Sequence, residues 1–130
     1  MQEPGWVSKR SVLALHQRQI AEFGGPAGIC DEGLLDSALA RAQNRFLYAD
    51  DPVDAATLAA AYAFGLASNH PFLDGNKRTA LVVSFLFLAK NGHTLVSTEA
   101  ENYDAIYRLA AGDLSEDELA ARFRAHLKTG

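Results

Sequence analysis

Two apolar stretches, Ala55 to Asn69 and Lys77 to Asn91, flank the short polar run His70 to Asn76, and this arrangement restricts the fold more than any other feature of the chain. The first stretch is almost entirely small or apolar, with Tyr62, Phe64 and Leu66 among its large members. A helix that is apolar all round is stable only when neighbours cover it, so this segment is expected to be a helix, starting near Asp54 and buried over most of its surface. The second stretch carries Ala80, Leu81, Val82, Val83, Phe85, Leu86, Phe87, Leu88 and Ala89, interrupted by Ser84. Its β-branched and aromatic residues would suit a strand. A length of about fifteen residues and the Asn91-Gly92 stop favour instead a helix, expected at the centre of the molecule. The longest apolar run is about half a membrane span and reads as core.

The rest of the sequence is punctuated for helices. Ser8 or Ser11 begins one in which Val12, Leu13, Leu15, Ile20 and Phe23 form a stripe, and Gly24-Gly25 with Pro26 ends it. Asp31 caps a second, with Leu34, Leu35, Ala38, Leu39 and Ala42 at helical spacing. Asn44 to Pro52, containing Tyr48 and Asp50-Asp51, breaks the periodicity as an exposed connection. After the second apolar stretch come a short extended piece, His93 to Val96, and two helices, Glu99 to Ala111 and Ser115 to Lys128, the last opened by the capping box Ser115 to Glu118. The expected fold is all-α, about six helices packed around the helix Lys77 to Asn91. At 130 residues and 48% hydrophobic, with no repeat and no linker, the chain is expected to form one domain over residues 1–130.

Charge and cysteine content narrow the function classes. Twelve basic against sixteen acidic residues give a formal charge of −4, which provides no global field for nucleic acid or an anionic membrane. Any phosphate chemistry must then be local. The single Cys30 excludes an internal disulfide framework, and in its Gly-rich loop it is expected to be an incidental, partly buried residue and not a nucleophile. The opening MQEPGWVSKR lacks the apolar stretch of a signal peptide, so a cytoplasmic location is expected.

The local chemistry is concentrated in His70 to Arg78, which packs a histidine, a carboxylate, a glycine, an amide and two cations between the apolar stretches. Pro71 disfavours the α conformation at His70, which places that histidine just past a helix, facing a cleft. Asp74-Gly75-Asn76 alone would serve as turn and N-cap. Lys77 and Arg78 exceed that need, because the first turn of a helix prefers acids. An anionic ligand resolves the conflict: free N–H groups at the helix start, with Lys77 and Arg78, make a site for a polyphosphate that Gly75 lets the backbone approach closely. Asp74 is placed to hold a divalent cation, normally Mg2+ in phosphate chemistry, and His70 to act as general base on an incoming hydroxyl. Each residue also has a structural use. His70 can satisfy a carbonyl, Asp74 and Asn76 can be turn and cap, Lys77 and Arg78 can form a solvated surface, and Phe72 and Leu73 anchor the loop. Joint occurrence in one loop favours the chemical reading.

His70-Pro-Phe-Leu-Asp-Gly-Asn-Lys-Arg-Thr-Ala-Leu81 resembles the Fic/Doc motif: histidine, any residue, Phe, any residue, Asp or Glu, Gly or Ala, Asn, Gly or Lys, Arg. The likeness extends to Leu15-His16, Ile20 through Gly25, Asp31-Glu32-Gly33 and Leu86-Phe87-Leu88 before Asn91-Gly92, and so covers most of the chain. Fic proteins that transfer AMP carry a glycine and a second arginine where this chain has Lys77 and Leu81, and both differences are similar to the Doc branch. That resemblance implies a toxin of a toxin-antitoxin system, transferring the γ-phosphate of ATP to a protein hydroxyl, with elongation factor Tu as the target. It implies His70 as base, Asp74 as Mg2+ ligand, and Gly75, Asn76, Lys77 and Arg78 as the phosphate-binding set. It further implies a Phd-type antitoxin whose tail folds as a helix into a groove on the toxin. AMP transfer and a non-catalytic partner-binding module are the alternatives. Ser97, Glu101 and Asn102 formally match the inhibitory motif of some Fic proteins, but more simply begin a helix.

Overall fold

The structure, a computed structural model, describes residues 3–129. Its elements are α1 (Lys9–Phe23), α2 (Glu32–Leu47), α3 (Ala55–Asn69), α4 (Asn76–Lys90), β1 (His93–Leu95), α5 (Glu99–Ala111), α6 (Glu116–Ala125) and β2 (Leu127–Thr129). The expected all-α architecture is present, and α4 lies against α1, α3, α5 and β1. α3 shares the centre with it: it packs on α2, α4, α5 and α6, and eleven of its fifteen residues are buried, against seven of fifteen in α4. A hydrophobic core draws on all six helices, from Val12 in α1 to Phe123 in α6.

Local sequence sets the helix starts. Ser8, not Ser11, caps α1, its Oγ accepting from the Ser11 N–H at 3.1 Å. Asp31 Oδ1 accepts from the Leu34 N–H at 3.0 Å, and Asp54 Oδ1 from the Thr57 N–H at 2.9 Å. Each satisfies an amide that the first helical turn would otherwise leave open. α1 lies at the edge of the bundle, and Val12 and His16 are its buried residues. Phe23, assigned by spacing to the apolar stripe, is half exposed at 50%.

Three helix ends differ from expectation, the first being that of α2, which continues to Leu47 through residues from Asn44 on that were expected to be connection. α6 stops at Ala125, whereas the sequence pattern carries it to Lys128, because Leu127–Thr129 pairs antiparallel with β1, Leu95 opposite Leu127 and His93 opposite Thr129. The Val96 N–H donates to His126 O at 2.9 Å and extends this pairing. α5 is capped by Thr98, not Ser97, in a full capping box with Glu101. Hydrogen bonds from Thr98 hold the Glu101 carboxyl below its ordinary value. Among the described residues no helix is long and apolar enough to cross a membrane.

Candidate active site at the turn between α3 and α4

α3 ends because the chain turns at His70 into left-handed backbone, φ 51° and ψ 56°. Pro71 disfavours the right-handed continuation, and the histidine falls just past the helix, as expected. Among the described residues it is the one non-glycine with positive φ. Its side chain is exposed.

The rest of the turn is fixed from two sides. Pro71 O accepts from the N–H groups of Cys30 (2.7 Å) and Asp31 (3.2 Å), and Leu73 N–H donates to Gly28 O at 3.1 Å. The loop before α2 therefore braces the turn, which brings Ile29 opposite Phe72 in an isolated bridge. Cys30 in that loop is exposed, not partly buried. From α1, the buried His16 stacks on Phe72 with ring centroids 3.7 Å apart and planes 8° from parallel, and its Nε2 lies 2.8 Å from Asp74 O. Phe72 is the expected anchor. Leu73 is not, being 55% exposed, because the braced backbone turns its side chain outward.

Asn76 closes the turn with its own amide. Oδ1 accepts from the Phe72 N–H and Nδ2 donates to Phe72 O, both at 3.0 Å. Its side chain therefore holds the loop. Gly75 (φ 77°) is the N-cap of α4 and makes no side-chain cap bond, and no acid occupies the first turn. A Cβ at Gly75 would come within 3.3 Å of Ile20 Cδ1, so glycine serves both the left-handed backbone and the contact with α1. Asp74 is exposed, and its Oδ1 accepts from the Gly75 N–H at 2.8 Å. Its Oδ2 lies over Gly25, where any Cβ would collide with it.

The two cations meet aromatic rings in place of carboxylates. Arg78 Cζ lies 3.8 Å from the ring centroid of Phe23 and 5.0 Å from that of Tyr103, and Lys77 Nζ lies 5.4 Å from that of Tyr107. Among the described residues neither cation forms an ion pair.

His70, Asp74, Gly75, Asn76, Lys77 and Arg78 all line one cavity of about 350 Å³, whose other wall comes from α1 and from Tyr103 of α5. A larger depression, about 740 Å³, surrounds Arg41, Arg45 and Tyr48 at the α2–α3 connection and includes none of these six. All six candidate residues therefore share the smaller one. Ser97, Glu101 and Asn102 do not line it: Ser97 Oγ bonds to Asn102 Oδ1, and Glu101 Oε1 accepts from the Thr98 hydroxyl at 2.8 Å. Sequence reasoning put Phe23 in the apolar stripe of α1 and His16 in the family likeness but gave neither of them, nor Tyr103, a place at this site, because their partners are remote in the chain.

An uncapped helix start with two cations and no acid in its first turn makes a surface directed at an anion. The residues also fit Mg2+. Asp74 presents a hard carboxylate oxygen in the cavity, the donor type Mg2+ takes alongside phosphate oxygens and water.

Fold and turn together define a helical protein with an anion-directed turn between its two central helices. The chain belongs to the Fic/DOC family, which its residues 6–88 match. It is 34% identical over 118 residues to the protein kinase doc of Escherichia phage P1, covering 91% of this chain and 92% of that protein. It is 38% identical over 115 residues to the toxin Doc of Mycolicibacterium smegmatis, covering 83% and 87% respectively.

Proposed function

We propose that this chain is a Doc-type toxin that acts as one domain in the cytoplasm and transfers the γ-phosphate of ATP to a hydroxyl of a protein. One observation carries the reading: a single cavity gathers an exposed histidine, a carboxylate and an uncapped helix start bearing two cations without acidic partners. The names of the two relatives, a kinase and a toxin, support it.

In this reading the N–H groups at the start of α4, with Lys77 and Arg78, hold the phosphates. Gly75 admits them close to the backbone, and the Asn76 side chain keeps the turn in shape. Asp74 holds Mg2+, which when bound neutralises charge on the phosphate oxygens. His70 takes the proton of the acceptor hydroxyl as its oxygen bonds to the γ-phosphorus. The bond from that phosphorus to the β–γ bridging oxygen breaks, and ADP leaves with the electron pair. Leu81, where AMP-transferring members of the family carry a second arginine, is buried at 5% exposure and offers no cation, which favours phosphate transfer over AMP transfer.

Elongation factor Tu is the proposed acceptor and a Phd-type antitoxin the proposed partner, both from the family likeness. An apolar depression of about 510 Å³ beside Leu81, Val82, Phe85 and Leu95 is a surface of the kind an antitoxin helix would use. The test is incubation with Mg2+, elongation factor Tu and ATP labelled at the γ or the α phosphate, with His70→Ala as control. Label from γ alone, lost in His70→Ala, is expected. Label from α would replace the reading with AMP transfer, and no His70-dependent label would leave a binding module.

A further inference from the structure

Arg78 is the cation of the site that meets two aromatic rings, where Lys77 meets one. Phe23, the last residue of α1, and Tyr103, in the second turn of α5, converge on its guanidinium from two elements remote in sequence. On α5, Tyr103 and Tyr107 stand four residues apart and so face one side of the helix, one for each of the adjacent cations Arg78 and Lys77. Phe23 is half exposed, and its ring meets Arg78 on the surface of the molecule, outside the buried core.

A carboxylate in place of these rings would also fix the guanidinium, but it would occupy the N–H donors and cancel the charge that an anion needs. An aromatic face attracts the cation through its quadrupole and accepts no strong hydrogen bond. The five N–H donors of Arg78 stay available for bidentate contact with phosphate. We propose that Phe23 and Tyr103 are positioning residues that hold Arg78 toward the anion in a charged, unpaired state. The inference rests on the phosphate reading of the cavity and extends it to two residues outside the motif.

Binding of Mg2+-tripolyphosphate, measured by calorimetry on the whole chain alongside melting temperature, tests both levels. Wild type is expected to bind, and Arg78→Ala to bind much more weakly. Phe23→Leu, which keeps apolar bulk without a ring, is expected to weaken binding roughly threefold to tenfold with little change in melting temperature, and Phe23→Trp to restore it. Tyr103→Leu should act in the same direction and Tyr103→Phe should not. In an Arg78→Ala background Phe23→Leu should have no further effect, since the ring acts through the arginine. Failure of wild type to bind removes the phosphate site and this inference with it. Binding by wild type that Phe23→Leu leaves intact, or a Phe23→Leu loss that persists undiminished without Arg78, overturns the inference alone.

Discussion

His70 stands directly before Pro71 in left-handed backbone, where a Cβ crowds the following carbonyl. The turn holds it there through bonds made by its neighbours, most directly the paired hydrogen bonds between Asn76 and the Phe72 backbone. The two residues should therefore separate in a joint measurement of urea stability and γ-phosphate transfer. His70→Gly is expected to gain about 1 kcal/mol of stability by relieving the backbone, while His70→Ala is expected to leave stability nearly unchanged. Both should lose transfer by roughly a hundredfold or more. Asn76→Ala leaves the Phe72 amide and carbonyl without partners and is expected to cost about 1–3 kcal/mol. If His70→Ala proves as destabilising as Asn76→Ala, the histidine is an anchor and its catalytic role falls. The motif residues were legible because polar groups between apolar helices stand out in one sequence. The stacking of His16 on Phe72 was not, because it joins elements far apart in the chain.

At the scale of elements, α2 and α3 approach closely where Gly65 meets the Ala38 backbone. Gly65 lies inside α3, where glycine is about 1 kcal/mol less favourable than alanine. A Cβ there would sit 2.8 Å from the carbonyl oxygen of Ala38 and 2.9 Å from its Cα. Backbone atoms of a packed helix yield less readily than a side-chain tip, so overpacking outweighs the propensity gain. Gly65→Ala is expected to destabilise by about 1–2 kcal/mol in chemical denaturation, and a stabilised variant would show that α2 can move away freely. The loop before α2 braces the candidate site, so the same variant should also lower transfer. Caps and apolar runs made most helices readable, down to Asp31, Asp54 and Ser115. The end of α6 was not readable, because Leu127–Thr129 is a strand only by virtue of β1, and nothing local to those residues signals the pairing.

Across the whole molecule, the start of α3 is tied to the end of α6 by Asp54 and Arg124, with Arg124 Nε 2.5 Å and Nη2 3.1 Å from the carboxylate oxygens. Asp54 thus caps α3 and joins the most buried helix to the last one. The Arg124 hydrogen bond, opposed by partial burial and aided by Thr57, holds the Asp54 carboxyl well below the usual carboxylate range. A depressed folded value means that the unfolded chain takes up the proton first as pH falls. The stability from this group is complete above a pH of about 4 and is lost progressively below it. Both side chains are about half exposed, so solvent limits the ion pair to about 1 kcal/mol or less. Arg124→Leu should therefore lower the urea midpoint at pH 7 modestly, and the gap to wild type should narrow progressively as pH falls from about 4 toward 2. Asp54→Ala should lose the cap as well, about 1–2 kcal/mol in all at pH 7. A gap between wild type and Arg124→Leu that stays constant from pH 7 to 2 would mean that Arg124 stabilises by packing alone, and that the tie between α3 and α6 is not electrostatic.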